Sequence, residues 1–311
     1  MANRQDGSSS IFRAPQFIRR LFDHFPLITY PVDPPPMSAQ ELAMTTRQLQ
    51  AFHSSGVNTL YIFTEDSDSD QVASFNPACL KWQTYLKIRG INFTTIPSNN
   101  HASPSGSLPF LTVSPPSSSS SERQRIQRTV IPVAKLAQWV EDNAPGTVNT
   151  VDTEGADYRA FLSLVEGAVR DAWLYALYID PINLSNITIP KYTSTTPLWP
   201  ITHFLGNQMR QAAIDSIKKS TSSESTLPTG EEIYTKANEA FSALSTLLNS
   251  TGNTWFFGAD EAGMFDASVF AYTYLILSLE ISGSGEVLVE SLYKFKNLVE
   301  HSERIRRRWF S

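Results

Sequence analysis

Thr59-Leu60-Tyr61-Ile62-Phe63, Asn76-Pro77-Ala78-Cys79-Leu80-Lys81-Trp82-Gln83-Thr84-Tyr85-Leu86-Lys87 and Ile91-Asn92-Phe93-Thr94-Thr95-Ile96 follow one another in the first third of the chain. The first is a continuous apolar run rich in strand-forming residues, as in a strand buried on both faces. In the second, Pro77 suits a first helical turn, and Cys79, Trp82 and Leu86 recur at helical spacing until Gly90 stops the helix. The third alternates like a strand. A strand–helix–strand unit predicts parallel pairing with a right-handed crossover.

Outward from this unit, Ser103-Pro104-Ser105-Gly106-Ser107 reads as a loop and Leu108 to Val113 as a strand. The tract 114–127 holds Pro115, Pro116 and five consecutive serines, and is expected as an inserted surface loop. Thr129-Val130-Ile131 resumes a strand, and Pro132 to Asn143 reads as a helix with Leu136, Trp139 and Val140 inward. Beyond Pro145-Gly146 the periodicity is helical, in a stripe from Tyr158 to Ala176 and in helices over 199–219, 233–248, 264–280 and 287–299. The run from Met264 to Glu280 is apolar nearly all round, which predicts the central buried helix.

The expected organisation is an N-terminal extension (1–56), an α/β domain (57–145), an all-α domain (150–303) and a basic tail (304–311). The extension carries a Pro-rich stretch and a helix over 38–54 that starts with a Ser38-Ala39-Gln40-Glu41 capping box.

Composition narrows the function classes. The chain has 311 residues with 25 Lys+Arg against 30 Asp+Glu, a net charge of −5. A mildly acidic chain is a poor general nucleic-acid binder. One cysteine, Cys79, excludes an intramolecular disulfide framework and a cysteine cage for zinc. The first ten residues are polar, with no secretory signal pattern. Arg13, Arg19 and Arg20 give 11–25 some presequence character, which Asp6 ahead of it and Pro15 and Asp23 within it oppose. The apolar run from Ala267 to Leu279 falls short of the roughly 20 residues that a membrane-spanning helix needs.

Most candidate chemistry falls away. His24, His53, His101, His203 and His301 have no ligand-like spacing, so no metal site is expected. Gly283-Ser284-Gly285 lacks a third glycine and follows a helix, so it reads as a turn. Ser216-Ile217-Lys218-Lys219 has a Ser-x-x-Lys spacing without its accompanying motifs.

Asn76-Pro77-Ala78-Cys79 resembles the active-site turn of the thioredoxin and glutathione-transferase superfamily, where a thiol is ionised at a helix N-terminus. Here Asn76 holds the first position; it suits an N-cap and cannot be a thiolate. Cys79, on the inward face, reads as a small buried residue. Leu108-Pro109-Phe110-Leu111 resembles the superfamily's cis-proline strand, which implies a cis bond before Pro109. Trp255-Phe256-Phe257-Gly258 and Met264-Phe265-Asp266-Ala267 resemble the buried helix start of the transferase helical domain. Asp266 matches, while Gly263 stands at the cap position and offers no side chain. By the same alignment, Pro132-Val133 occupies the place of the polar pair that holds the glutamyl end of glutathione. The resemblance implies a thioredoxin-like domain followed by a transferase-like helical bundle, without nucleophile, substrate clamp or cofactor.

The helix Asn76 to Lys87, Ser98-Asn99-Asn100 with Pro104-Ser105-Gly106-Ser107-Leu108-Pro109, and Thr254-Trp255-Phe256-Phe257-Gly258 together resemble the metaxin family over roughly 57–300. That resemblance implies a subunit of the mitochondrial sorting and assembly machinery, facing the cytosol at the outer membrane and assisting insertion of β-barrel precursors. It implies as partners the barrel subunit of that machinery, a second metaxin-like subunit and the precursors themselves. Ending in Arg306-Arg307-Arg308-Trp309-Phe310-Ser311, the chain is similar to the peripheral members, and these residues are expected to contact anionic headgroups or an acidic partner. An active transferase or thiol enzyme, and a soluble transferase-like adaptor, stand as alternatives.

Overall fold

A computed structural model describes residues 58–65, 72–113, 129–145, 155–193, 199–221, 226–250, 252 and 254–311. The extension 1–56, with its expected helix over 38–54, and the loop 114–127 lie outside the described residues.

Strand β1 (Asn58–Ile62) buries Leu60 and Ile62 completely. Helix α1 (Pro77–Ile88) starts at Asn76, whose Oδ1 accepts from the Cys79 amide at 3.1 Å, with Pro77 in the first turn. It ends at Gly90, whose φ of +67° is the left-handed conformation that stops a helix cheaply only in glycine. Strand β2 (Phe93–Pro97) then pairs parallel with β1, as the strand–helix–strand reading predicts. The strand expected from Leu108 begins at β3 (Phe110–Val113) and runs antiparallel to β1; β4 (Thr129–Pro132) runs antiparallel to β3. The sheet order is β2-β1-β3-β4. Register aligns Leu60 with Leu111 and Leu111 with Ile131, one apolar row across the sheet. That row packs with Cys79 and Leu86 of α1 and with Leu136 and Val140 of α2 (Val133–Asn143).

The remainder is helical. Helix α3 covers 156–179 and widens into π-type turns at Val165–Val169 and Tyr175–Ile179. It stops at Asp180, which caps the amides of Ile182 and Asn183 and starts α4 over 181–193, a segment the apolar stripe does not foresee. Helices α5 (Trp199–Ser220), α6 (Gly230–Ser250) and α7 (Met264–Ser278) follow. As its all-round apolarity predicts, α7 buries Phe265, Val269, Phe270 and Ile276; it lies along α1 and puts Ala267 into the sheet-side core.

Two expectations are corrected near the end of the chain. The single helix expected over 287–299 is two, α8 (Glu286–Tyr293) and α9 (Lys296–Trp309). The break falls at Phe295, whose φ and ψ of −102° and 77° are not helical, and just beyond it Asn297 donates its amide to the Ser245 carbonyl of α6 at 2.8 Å. The expected basic tail, 304–311, is largely the last turns of α9. Leu298, His301 and Ile305 are fully buried at helical spacing, so that face fixes the helix while the arginines line the other.

Candidate functional site

Asn76 works with both ends of its amide. Its Oδ1 caps α1, and its Nδ2 donates to the Tyr192 hydroxyl of α4 at 2.9 Å. Tyr192 in turn hydrogen-bonds the Tyr178 hydroxyl. Around this chain of hydroxyls stand Phe63 and Phe75, whose rings meet that of Tyr192 edge-on at 4.9 and 5.1 Å. Lys191, with its ammonium 5.4 Å from the Phe75 ring centroid, pairs with Glu65 at 2.5 Å. Asn76, at the position where a superfamily enzyme would present its nucleophile, is thus tied to a cluster of the chain's own aromatic side chains. Burial pushes Tyr178 up to about 12, and Tyr192 well above the usual phenol range, so both stay protonated.

Cys79 lies one turn inside the helix and is fully buried. Burial pushes its thiol up to about 12, outweighing the hydrogen bonds with Phe63 and Ser74 that favour the thiolate. A neutral, inaccessible thiol is no nucleophile.

The bond before Pro109 is cis, as the resemblance implies. The loop ahead of it is held by asparagines: Asn99 Oδ1 caps the turn Asn100–Ala102, and Asn100 Oδ1 accepts from the Leu108 amide at 3.0 Å. Gly106, at φ +74°, closes the loop by donating to the Ser103 carbonyl. These bonds give the Ser-Asn-Asn and Pro-Ser-Gly motifs a positional meaning. At the start of α2, Pro132 makes no side-chain cap, and neither it nor Val133 offers a polar side chain to a peptide ligand.

Asp266, in the first turn of α7, accepts from the Gly263 amide at 2.9 Å and the Phe256 amide at 3.2 Å. Its Oδ1 also meets His301 Nε2 of α9 at 2.8 Å, with both side chains buried. The dispersed histidine count hid this pairing, which spans 35 residues; its one sequence signal is that His301 falls on the apolar stripe of α9. Tyr192 and Tyr178 carry no comparable signal. Among the described residues no group of three His, Cys, Asp or Glu is placed to hold a metal.

The basic end is partly spent. Glu303 takes bonds from Arg306 and Arg307, which hold its carboxyl down at about 2. Trp309 packs on Trp255 at 5.9 Å and Phe310 stacks on Phe270 at 5.7 Å, so the two aromatics belong to the helical core. Arg307 and Arg308 remain exposed, Arg308 lying over Trp309.

The glutathione S-transferase N-terminal domain family matches residues 77–183, and its C-terminal domain family matches 237–305. A solved structure, glutathione transferase GSTFuA2 from Phanerochaete chrysosporium, is 12% identical with a TM-score of 0.49, covering 82% of this chain and 99% of that one. Metaxin-2 of Mus musculus is 25% identical over 240 residues, 76% of this chain and 83% of the relative. Metaxin-3 of Xenopus laevis is 28% identical over 203 residues, 64% of this chain and 61% of that protein's length. Over most of its length the chain is similar to metaxins. As the metaxin resemblance implies, its fold is glutathione-transferase-like, a thioredoxin-like sheet followed by a helical bundle. In this metaxin-like chain the residues at the position of the superfamily's active-site turn carry bonds that tie α1 to α4.

Proposed function

We infer that this chain is a non-catalytic receptor or scaffold subunit on the cytosolic face of the mitochondrial outer membrane, assisting insertion of β-barrel precursors. The observation that carries the reading is the turn at the start of α1: Asn76 is committed to α1 and Tyr192, and Cys79 is neutral and buried. Similarity to metaxins supports a place in the sorting and assembly machinery, beside its barrel subunit and a second metaxin-like subunit. The sheet layer and the helical layer act as two modules of one scaffold. Among the described strands, β2 and β4 are the sheet edges, and Val130 on β4 is exposed; an incoming strand would dock there by strand addition.

Among the described residues no helix is long and apolar enough to cross a membrane. We assign attachment to the barrel subunit, aided by Arg307 and Arg308 at anionic headgroups. The test is native co-purification from mitochondria with identification of partners, alongside a glutathione-conjugation assay with a general electrophile. Association with the barrel subunit without turnover is the expected result. Turnover at ordinary transferase rates, or recovery away from the outer membrane, would overturn the reading. Crosslinking to precursor strand peptides, alone and in the complex, separates receptor from scaffold. Replacing Arg306, Arg307 and Arg308 together by Gln should weaken salt-sensitive membrane retention, and unchanged retention would remove that contact.

A further inference from the structure

A second concavity lies on the helical layer, away from Asn76. It is a cavity of about 430 Å³ between the start of α6 and α8, lined among others by Tyr175, Glu231, Tyr234, Asn238, Val287 and Ser291. The Tyr175 and Tyr234 rings meet edge-to-face at 5.7 Å. The α6 backbone fixes their position, since a Cβ at Gly230 would come within 3.0 Å of the Tyr175 ring. At the far end Asn238 and Ser291 are bonded to each other at 3.1 Å. Val287 stands at the rim, 50% exposed.

Charge is one-sided here. Glu231 is exposed, has no ion-pair partner among the described residues, and is the one charged side chain among those lining the cavity. Behind the wall, the buried Asp180 accepts from the Ser284 hydroxyl at 2.6 Å and the Ser284 amide at 3.0 Å. Burial alone would raise its carboxyl; these bonds and the amides of Asn183 and Ile182 outweigh that and hold it ionised below its ordinary value. Tyr234 is pushed up to about 12 by burial and stays neutral. One carboxylate, that of Glu231, and two tyrosine rings therefore line a space into which no lysine or arginine projects among the lining residues, with the Asp180 carboxylate behind Ser284. Ring faces and carboxylates both attract a cation, and an aliphatic rim accepts an apolar stem.

We propose that this cavity binds a guanidinium presented on an apolar stem, an arginine side chain of a protein partner, between the tyrosine rings and Glu231. Arginine suits it better than lysine, because a planar, weakly hydrated cation stacks on tyrosine while reaching a carboxylate.

The test is amide chemical-shift titration of the isotope-labelled full chain with two matched pairs. One pair is benzamidine and neutral benzamide; the other is a Leu-Arg-Leu peptide and its citrulline counterpart. Benzamidine and the arginine peptide are expected to shift residues 230–238 and 284–291 saturably, with each neutral isostere at least about fivefold weaker. Glu231→Gln, an exposed change checked by thermal melting, should erase that preference, and Tyr175→Leu should weaken binding while Tyr175→Phe does not. Equal binding of the neutral isosteres, shifts elsewhere, or an unaffected Glu231→Gln variant would overturn the proposal. Binding of benzamidine without the arginine peptide would overturn the partner assignment, leaving a site for small free cations.

Discussion

Replacing Asn76 separates its two tasks. The cap on the Cys79 amide is worth about 1 kcal/mol, within a range of roughly 0.5–2. The bond from Nδ2 to Tyr192 adds about 1 kcal/mol as a typical net hydrogen bond. Asn76→Ala should therefore lower stability by about 2 kcal/mol. Asn76→Ser keeps a capping oxygen but loses the reach to Tyr192, and should cost about 1 kcal/mol. Tyr192→Phe removes the same bond from the other side, together with the hydroxyl that meets Tyr178, so the Asn76→Ser/Tyr192→Phe pair should cost about 1 kcal/mol less than the sum of the two single changes. Urea unfolding followed by tryptophan fluorescence, with equal slopes across the series, reads these differences. An Asn76→Ala variant within about 0.5 kcal/mol of the parent would refute the reasoning, and strictly additive single changes would refute the bond to Tyr192.

Three further outcomes follow from the geometry. The Cys79 thiol should resist a disulfide reagent in the folded chain and react at once on unfolding; because folding raises its pKa from 9.0 to about 12, its stabilising contribution is complete below pH 9 and fades as pH climbs towards 12, by up to about 1.4 kcal/mol per pH unit, readable in urea midpoints. Asp266→Ala strips two backbone amides and His301 of their acceptor inside the core and should cost about 3–5 kcal/mol in the same unfolding assay, whereas the double change with His301→Leu should recover part of that loss. Phe310→Ala removes a ring stacked on Phe270 and lying under the Lys87 ammonium at 5.0 Å, and should lower the melting temperature by a few degrees, as a loss of about 1–2 kcal/mol implies; an unchanged melt would return the chain end to the role of a free tail.

How far the sequence could be read depended on whether a signal was local. The β1–α1–β2 unit announced itself because a strand buried on both faces, a proline-started helix and an alternating strand each leave a periodic trace. The buried helix α7 did the same through composition. Helix α4 did not: it begins at a cap by Asp180 after π-type turns, and its side chains answer to Asn76 and Phe75, more than a hundred residues earlier. The chain end misled for a related reason, since three adjacent arginines mask the spacing of Leu298, His301 and Ile305 that ties α9 to the core.

Residue identity at the old active-site turn was enough to remove a thiolate nucleophile, since an asparagine cannot ionise whatever surrounds it. At Pro132 and Val133, where the resemblance implies a polar clamp, neither side chain is polar. What took the vacated space was settled only in three dimensions. Tyr192 and Lys191 meet Asn76, Phe75 and Glu65 from α4, which starts at the Asp180 cap, while Tyr178 meets Tyr192 from the end of α3. The pairing of Asp266 with His301, and the tyrosine cavity beside Glu231, likewise join residues on separate helices. Periodicity reports which face of an element is apolar, while the partner of a buried polar group is chosen by how distant elements pack.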